Sequence, residues 1–371
     1  QLLILMILPV LYCNHHTRSN ELSIVNLEHL KHLYTEIEMK SGARVGVLHI
    51  YSEHPDYEYT IEDDEGFTCV DDVARAMVFL TGHLKFNDDP EARAMIMDMT
   101  KFILEMQSEN GYFHNFLWGD GSVNTTYRTS VAEPNWWSWR ALWALAEVYP
   151  LLPEELALHA RTSAGILVSE VFERYIDLPM DTILHSGLQL PGWFPLETAF
   201  DQTALLIIAM ETYYHNIFQD KRVLELIERF SGGLLLTQKG NAKEFPHFAF
   251  LSWNNLWHSY GNIQSYALIK SGILLGRDDL VNAALKEIDH FYPYLLENGI
   301  AHHFFLEKSD DGLDTLDYTR FPQIAYGVRP IVYACVEAYE VTGDKKYDTM
   351  ARKAASWLHG NNPASTSMYD P

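Results

Sequence analysis

The sequence predicts an all-α protein folded as an (α/α)6 toroid, a ring of helical hairpins with short β segments in its rim loops. Three observations lead there. Two kinds of helical segment alternate along the chain. The second kind recurs roughly every sixty residues, a repeat-architecture period. The joins between them repeat a short glycine-bounded run of aromatic and histidine residues.

The first kind is charged and amphipathic, with apolar residues at three- and four-residue spacing. It is read over Ser23–Met39, Asp89–Gln107, Glu154–Glu173, Asp220–Thr237, Asp278–Leu296 and Asp344–His359, and these are the outer helices. The second kind is richer in small and aromatic residues and is read as inner. It covers Asp71–Leu84, Pro134–Val148, Phe200–Tyr214, Leu256–Ser271 and Pro322–Val341. The echoing joins are Gly111–His114, Phe245–Phe248 and Gly299–Phe304. Six outer and five inner helices leave a sixth inner helix expected beyond Pro371, lacking here through truncation. An open solenoid is the alternative, but the long loops over 110–133 and 181–197 favour a closed catalytic ring.

A net charge of -23 with pI near 5.0 argues against nucleic acid or an anionic membrane as partner. An aromatic fraction of 13% exceeds what the core alone calls for and suggests a binding surface. Residues 1–20 read as a signal peptide or lipoprotein-type leader, because Leu2–Tyr12 is apolar but too short to span a bilayer. Cys13 sits where a lipidated cysteine would. The expectation is an exported protein, periplasmic, extracellular or lipid-anchored, with residues 21–371 as one domain and no transmembrane span in the mature chain. Cys69 and Cys335 lie in apolar runs and are read as buried thiols. No cofactor is implied. No metal site is read either, since His302 and His303 lack a third ligand. Asn124-Thr125-Thr126 is an acceptor sequon.

The segments before the inner helices share one rim of such a ring. The first brings Asp71, Asp72 and Arg75, with one aspartate expected as N-cap and Asp72 favoured for the cleft. The second brings His114, Glu133, Trp136, Trp137 and Arg140; the third Trp193 and Asp201; the fourth Trp253, His258, Tyr260, Asn262 and Gln264; the fifth Arg320. Aromatic planes stack on sugar faces, while amides, guanidinia and carboxylates take hydroxyls. Glycoside hydrolysis needs two carboxyl groups. Asp72 and Glu133 are the favoured catalytic pair, with Asp201 in reserve.

The order Gly66…Cys69-Val70-Asp71-Asp72-Val73-Ala74-Arg75-Ala76, Tyr112-Phe113-His114-Asn115-Phe116, then Trp139-Arg140-Ala141-Leu142-Trp143-Ala144-Leu145 resembles the six-hairpin glycosidase-like (α/α)6 toroid proteins, in particular a poorly characterised bacterial group. The closing Gly360-Asn361-Asn362-Pro363 is similar to the segment before their last inner helix. The resemblance implies the fold and a carbohydrate substrate. It does not fix the reaction, since the ring hosts glycosidases, lyases and epimerases. The expectation is a glycoside hydrolase acting on oligo- or polysaccharide. The alternatives are a polysaccharide lyase using His258 and Tyr260 with Asn262 or an arginine, and a non-catalytic glycan-binding protein.

Overall fold

The structure is a computed structural model that describes residues 25–300, 302–310, 312–320, 327–362 and 364–367. The leader expected over residues 1–20 lies outside the described residues, as do the side chains of Tyr260 and Arg320.

The chain opens with a short helix α1 (Glu28–Leu33) and a hairpin β1–β2 (Tyr34–Glu38, Arg44–Leu48), then a second hairpin β3–β4 (Ser52–Glu53, Glu58–Tyr59) and strand β5 (Thr68–Cys69). The hairpins of the ring follow: α2 (Val70–Leu84) with α3 (Pro90–Glu105); then β6 (Phe116–Leu117) and α4 (Trp136–Val148) with α5 (Glu154–Tyr175). Next come β7–β8 (Thr182–His185, Leu188–Pro191) and α6 (Phe200–Asn216) with α7 (Lys221–Leu234). After β9–β10 (Gln238–Asn241, Glu244–Phe250) and β11 (Leu256–His258) comes α8 (Gln264–Leu275) with α9 (Asp278–Asn298). A β12–β13 hairpin (His302–Ser309, Gly312–Arg320) precedes α10 (Arg329–Thr342) and α11 (Lys345–Ala355).

The inner helices pack side by side in the order α2, α4, α6, α8, α10, and each is backed by the outer helix that follows it. Burial explains the two sequence types. Every residue of α6 from Phe200 to Tyr213 is buried, because neighbours cover it all round. In α7 burial is confined to Val223, Leu226, Ile227, Phe230, Ser231, Gly233 and Leu234, a single stripe at helical spacing. Asp89, Asp220 and Asp344 cap the outer helices, each accepting a backbone N–H of its first turn.

Three local expectations are corrected. Among the described residues of the segment 23–39 only Glu28–Leu33 is helical; Tyr34–Glu38 carries the strand-favouring Tyr34, Thr35 and Ile37 and pairs with Arg44–Leu48 as a hairpin. The fourth inner helix starts at Gln264, not Leu256, because Leu256–His258 pairs with Phe305–His303 of β12. Neither Asp71 nor Asp72 caps α2: Cys69 ends β5 in extended conformation, and its Sγ accepts the Asp72 N–H at 3.4 Å. Cys69 and Cys335 are both buried free thiols. The sequon asparagine, Asn124, is fully buried and donates to the carbonyls of Asp64 and Glu65, so it presents no amide to a glycosylating enzyme. No helix among the described residues is long and apolar enough to cross a membrane.

Candidate active site

Rim strands aim the inner-helix starts. The β5–β6 pair ties the start of α2 to the loop before α4; Asn115 accepts the Val70 N–H on its carbonyl and the Asp71 N–H on Oδ1. Gly66 makes this pairing possible. It sits at φ 130°, and a Cβ there would lie 2.2 Å from the Leu117 carbonyl oxygen.

One wall of the cleft comes from α2, α4 and α10. Arg75 bonds Asp71 Oδ2 at 2.6 Å and also bonds Asp72. Arg140, one turn into α4, reaches back to the same Asp71 oxygen. Asp71 is more covered than Asp72, with side chains 19% and 41% exposed. Burial works against the Asp71 charge, but Arg140 and Arg75 outweigh it and hold the carboxyl below the usual range. Arg329, the first residue of α10, joins this group. Burial, and then the charges of Arg140 and Arg75, push its guanidinium down to about 10. It makes no ion pair among the described residues, and its Nε is buried without a hydrogen-bond partner.

The other wall comes from α6 and the β11–α8 junction. His258 Nε2 lies 2.9 Å from Asp201 Oδ2, and both side chains are nearly sealed. The Gly261 N–H donates to His258 Nδ1 at 3.1 Å. Nδ1 is therefore an acceptor, so the ring proton sits on Nε2 and is donated to Asp201. The second oxygen of Asp201 accepts the Gln202 N–H at 2.6 Å. Gly261 is required here too: a Cβ would fall 2.1 Å from His258 Cε1 and 2.6 Å from Asp201 Oδ2.

Asp201 and His258 line a cavity of about 330 Å³ together with Gln202, Trp136, Trp253, Leu196, Ala199 and Leu256. Trp136 joins the two walls, since it lines the cavity and the Arg140 guanidinium lies 5.1 Å from its ring centroid. Five inner-helix starts thus meet on one rim, as the repeat predicts. A second cavity of about 380 Å³ opens at the opposite helix ends. Its charged groups pair among themselves, Glu211 with Lys270 and His215, and Glu147 with Lys85.

The remaining sequence candidates divide. Trp253 is half-exposed on the cavity wall. Asn262 and Gln264 are buried, and the amide oxygen of each is without a partner. Glu133 is half-buried and belongs to the cap of α4: its Oε1 accepts from Asn135, and its carbonyl accepts the Ser138 hydroxyl. Trp137 is buried and donates its indole N–H to the Val131 carbonyl. Trp193 is core, edge-on to Phe194 and pressed against Gly233. His114 bonds the Ser130 carbonyl, and burial lowers its pKa. The structure does not bring Glu133, Trp137, Trp193 or His114 into the cavity lining. Gln202, Leu196 and Arg329 lie in rim segments that the sequence reading marked out, but they were not among its candidate site residues. Arg329 had a signal, as a basic residue at an inner-helix start. Among the described residues no group of three or more metal-ligating side chains clusters.

No protein-family model matches the chain, and no curated protein matches it. Solved structures do. A sugar epimerase from a ruminal bacterium aligns over 82% of this chain and 78% of its own, with 13% identity and a TM-score of 0.53. Cellobiose 2-epimerase from Spirochaeta thermophila aligns over 80% and 75%, with 14% identity and a TM-score of 0.54. D-mannose isomerase aligns over 83% and 86%, with 11% identity and a TM-score of 0.55. The chain has the (α/α)6 toroid fold. At such identities the likeness is one of fold, and the reaction has to be argued from the cleft itself.

Proposed function

We propose that the protein is a carbohydrate-active enzyme that transfers a proton at a carbon beside a sugar carbonyl, with Asp201 as the base. The observation that carries this reading is the setting of Asp201. It is a buried carboxylate in a tryptophan-walled cavity, receiving N–H donors on both oxygens. His258 has both ring nitrogens engaged, so it acts as a positioning residue and Asp201 meets the substrate. A single base performs aldose–ketose isomerisation. It takes the proton from C2 and returns it to C1, while the hydroxyl proton passes from O2 to O1 through an enediolate. The arginines beyond Trp136 supply the positive field that such an anionic intermediate needs. The fold neighbours named as epimerases and an isomerase support the same class.

Glycoside hydrolysis is the second reading, favoured by Asp72, whose carboxylate is the more exposed of the α2 pair. It needs a second carboxyl group that holds a proton. Asp71 is held below the usual range by its arginines, and Glu133 is engaged in the α4 cap. Incubation in D2O with panels of free aldoses and of oligosaccharides, read by NMR, separates the two. Deuterium at the carbons flanking the carbonyl, with ketose formation lost in Asp201→Asn, supports proton transfer. New reducing ends without deuterium uptake overturn it in favour of hydrolysis. Export through a leader over residues 1–20 belongs to this reading as well, and N-terminal sequencing of the mature protein tests it.

A further inference from the structure

The α2–α4–α10 wall carries more positive charge than it neutralises. Three guanidinia, Arg75, Arg140 and Arg329, converge from three helix starts, and among the described residues Asp71 and Asp72 are the carboxylates that pair with any of them. Asp71 is shared through one oxygen by Arg75 and Arg140, and Asp72 is bonded by Arg75, so each carboxylate already has a guanidinium partner. Arg329 is left over. It is half-buried, without an ion pair among the described residues, and its Nε is shut off from solvent with nothing to donate to. A desolvated cation with like charges for neighbours gains most by taking up an anion. A chain of net charge -23 that concentrates spare positive charge at one point of its cleft has a local reason for doing so.

We propose that Arg329, with Arg140 beside it, forms an anion subsite, and that the substrate is a sugar bearing an anionic oxygen group, a uronyl carboxylate or a phosphate ester. Planar guanidinium forks match either group. The subsite lies next to Trp136, so a sugar ring in the Asp201 cavity would carry its anionic substituent past that indole to the arginines. This extends the proton-transfer reading in the choice of substrate. The subsite is tested by binding alone, so it stands or falls apart from that reading.

Titration calorimetry of the whole protein would compare glucuronate and glucose 6-phosphate with glucose. Tighter binding of one or both anionic sugars by about tenfold or more is expected, and which one binds identifies the group. Arg329→Gln should bring the anionic sugars down to the affinity of glucose, and Arg329→Lys should keep part of the preference. Thermal midpoints of the two variants separate a lost contact from a lost fold. Equal affinities for charged and neutral sugars overturn the proposal. So does a preference that survives Arg329→Gln. An anion preference without any deuterium exchange would retain this subsite and reject the proton-transfer reading.

Discussion

The two walls of the cleft use buried carboxylates in opposite ways. On the α2–α4–α10 wall, Asp71 is surrounded by full charges: two guanidinia bond it and a third lies nearby. On the α6–α8 wall, Asp201 is surrounded by neutral donors, an imidazole N–H and a backbone N–H. A carboxylate tied to two arginines is a structural anion, because any move that unpairs it strands buried charge. A carboxylate held by neutral groups loses far less on gaining a proton. The contrast is the ground for the proposal that proton chemistry falls to Asp201 and charge recognition to the arginines, although both acids occupy the first turn of an inner helix.

The sharpest way to break this comparison is to remove the base. Asp201→Asn should lower turnover by about 10²–10⁴-fold with little change in melting temperature, measured by steady-state kinetics and calorimetry. Full activity in that variant would refute the assignment of the walls. The reciprocal change, Asp71→Asn, should act on stability first, by about 3–5 kcal/mol, since it leaves Arg140 without its ion-pair partner beside the guanidinia of Arg75 and Arg329. The sign with pH follows from the lowered pKa of Asp71. Its stabilisation is present above the ordinary aspartate range and is lost as pH falls through the folded value. Denaturant titrations should therefore show the Asn variant converging on the parent in acid.

A third buried carboxylate sharpens the comparison by lying outside the cleft. Glu287 of α9 accepts the Phe250 N–H at 2.8 Å and the Ser265 hydroxyl at 2.5 Å, and burial raises its pKa to about 8. The folded state then holds a proton that the unfolded chain releases above the ordinary glutamate range. Its contribution is complete in acid and is lost as pH rises toward 8. Glu287→Gln keeps the Phe250 acceptor, so it should flatten that limb and stabilise the protein by about 1–3 kcal/mol near pH 8. Turnover should not change. A drop in turnover as large as that of Asp201→Asn would mean that burial, not position on the rim, distinguishes the acids.

How much of this was legible in the sequence follows from what each residue's partners are. The ring was legible because its signal is local and repeated: a one-sided stripe in α7, an all-buried run in α6, and the same alternation at each hairpin. The first segment misled because Tyr34 and Ile37 stand three apart, as on a helix face, and only pairing with Arg44–Leu48 makes the stretch a strand. Within the site, Asp71, Arg75 and Arg140 announced themselves as charges in apolar helices. Asp201 and His258 were read as a reserve acid and a sugar binder because nothing in the chain says that they meet. That contact exists only once β11 has paired with β12 and Gly261 has let the imidazole close on the carboxylate. Residue type likewise failed for tryptophan. Trp136, Trp137 and Trp193 look alike in sequence, yet only Trp136 lines the cavity, because direction is set by helix phase and by what already fills the core.

Tryptophan supplies the smallest and most discriminating prediction. Trp253 and Trp136 face the same cavity, but only Trp136 also carries Arg140 over its ring. Trp253 is half-exposed, and among the described residues no guanidinium lies over its ring. Trp253→Ala should therefore cost about 1 kcal/mol of sugar stacking, roughly a fivefold rise in KM, with kcat unchanged. Trp136→Ala should raise KM by a similar amount and also free the Arg140 side chain, so that discrimination between charged and neutral sugars weakens. Parallel KM measurements on glucose and glucuronate separate the two. If both tryptophan variants shift the two substrates equally, the walls are not joined through Trp136, and the anion subsite and the base belong to separate sites.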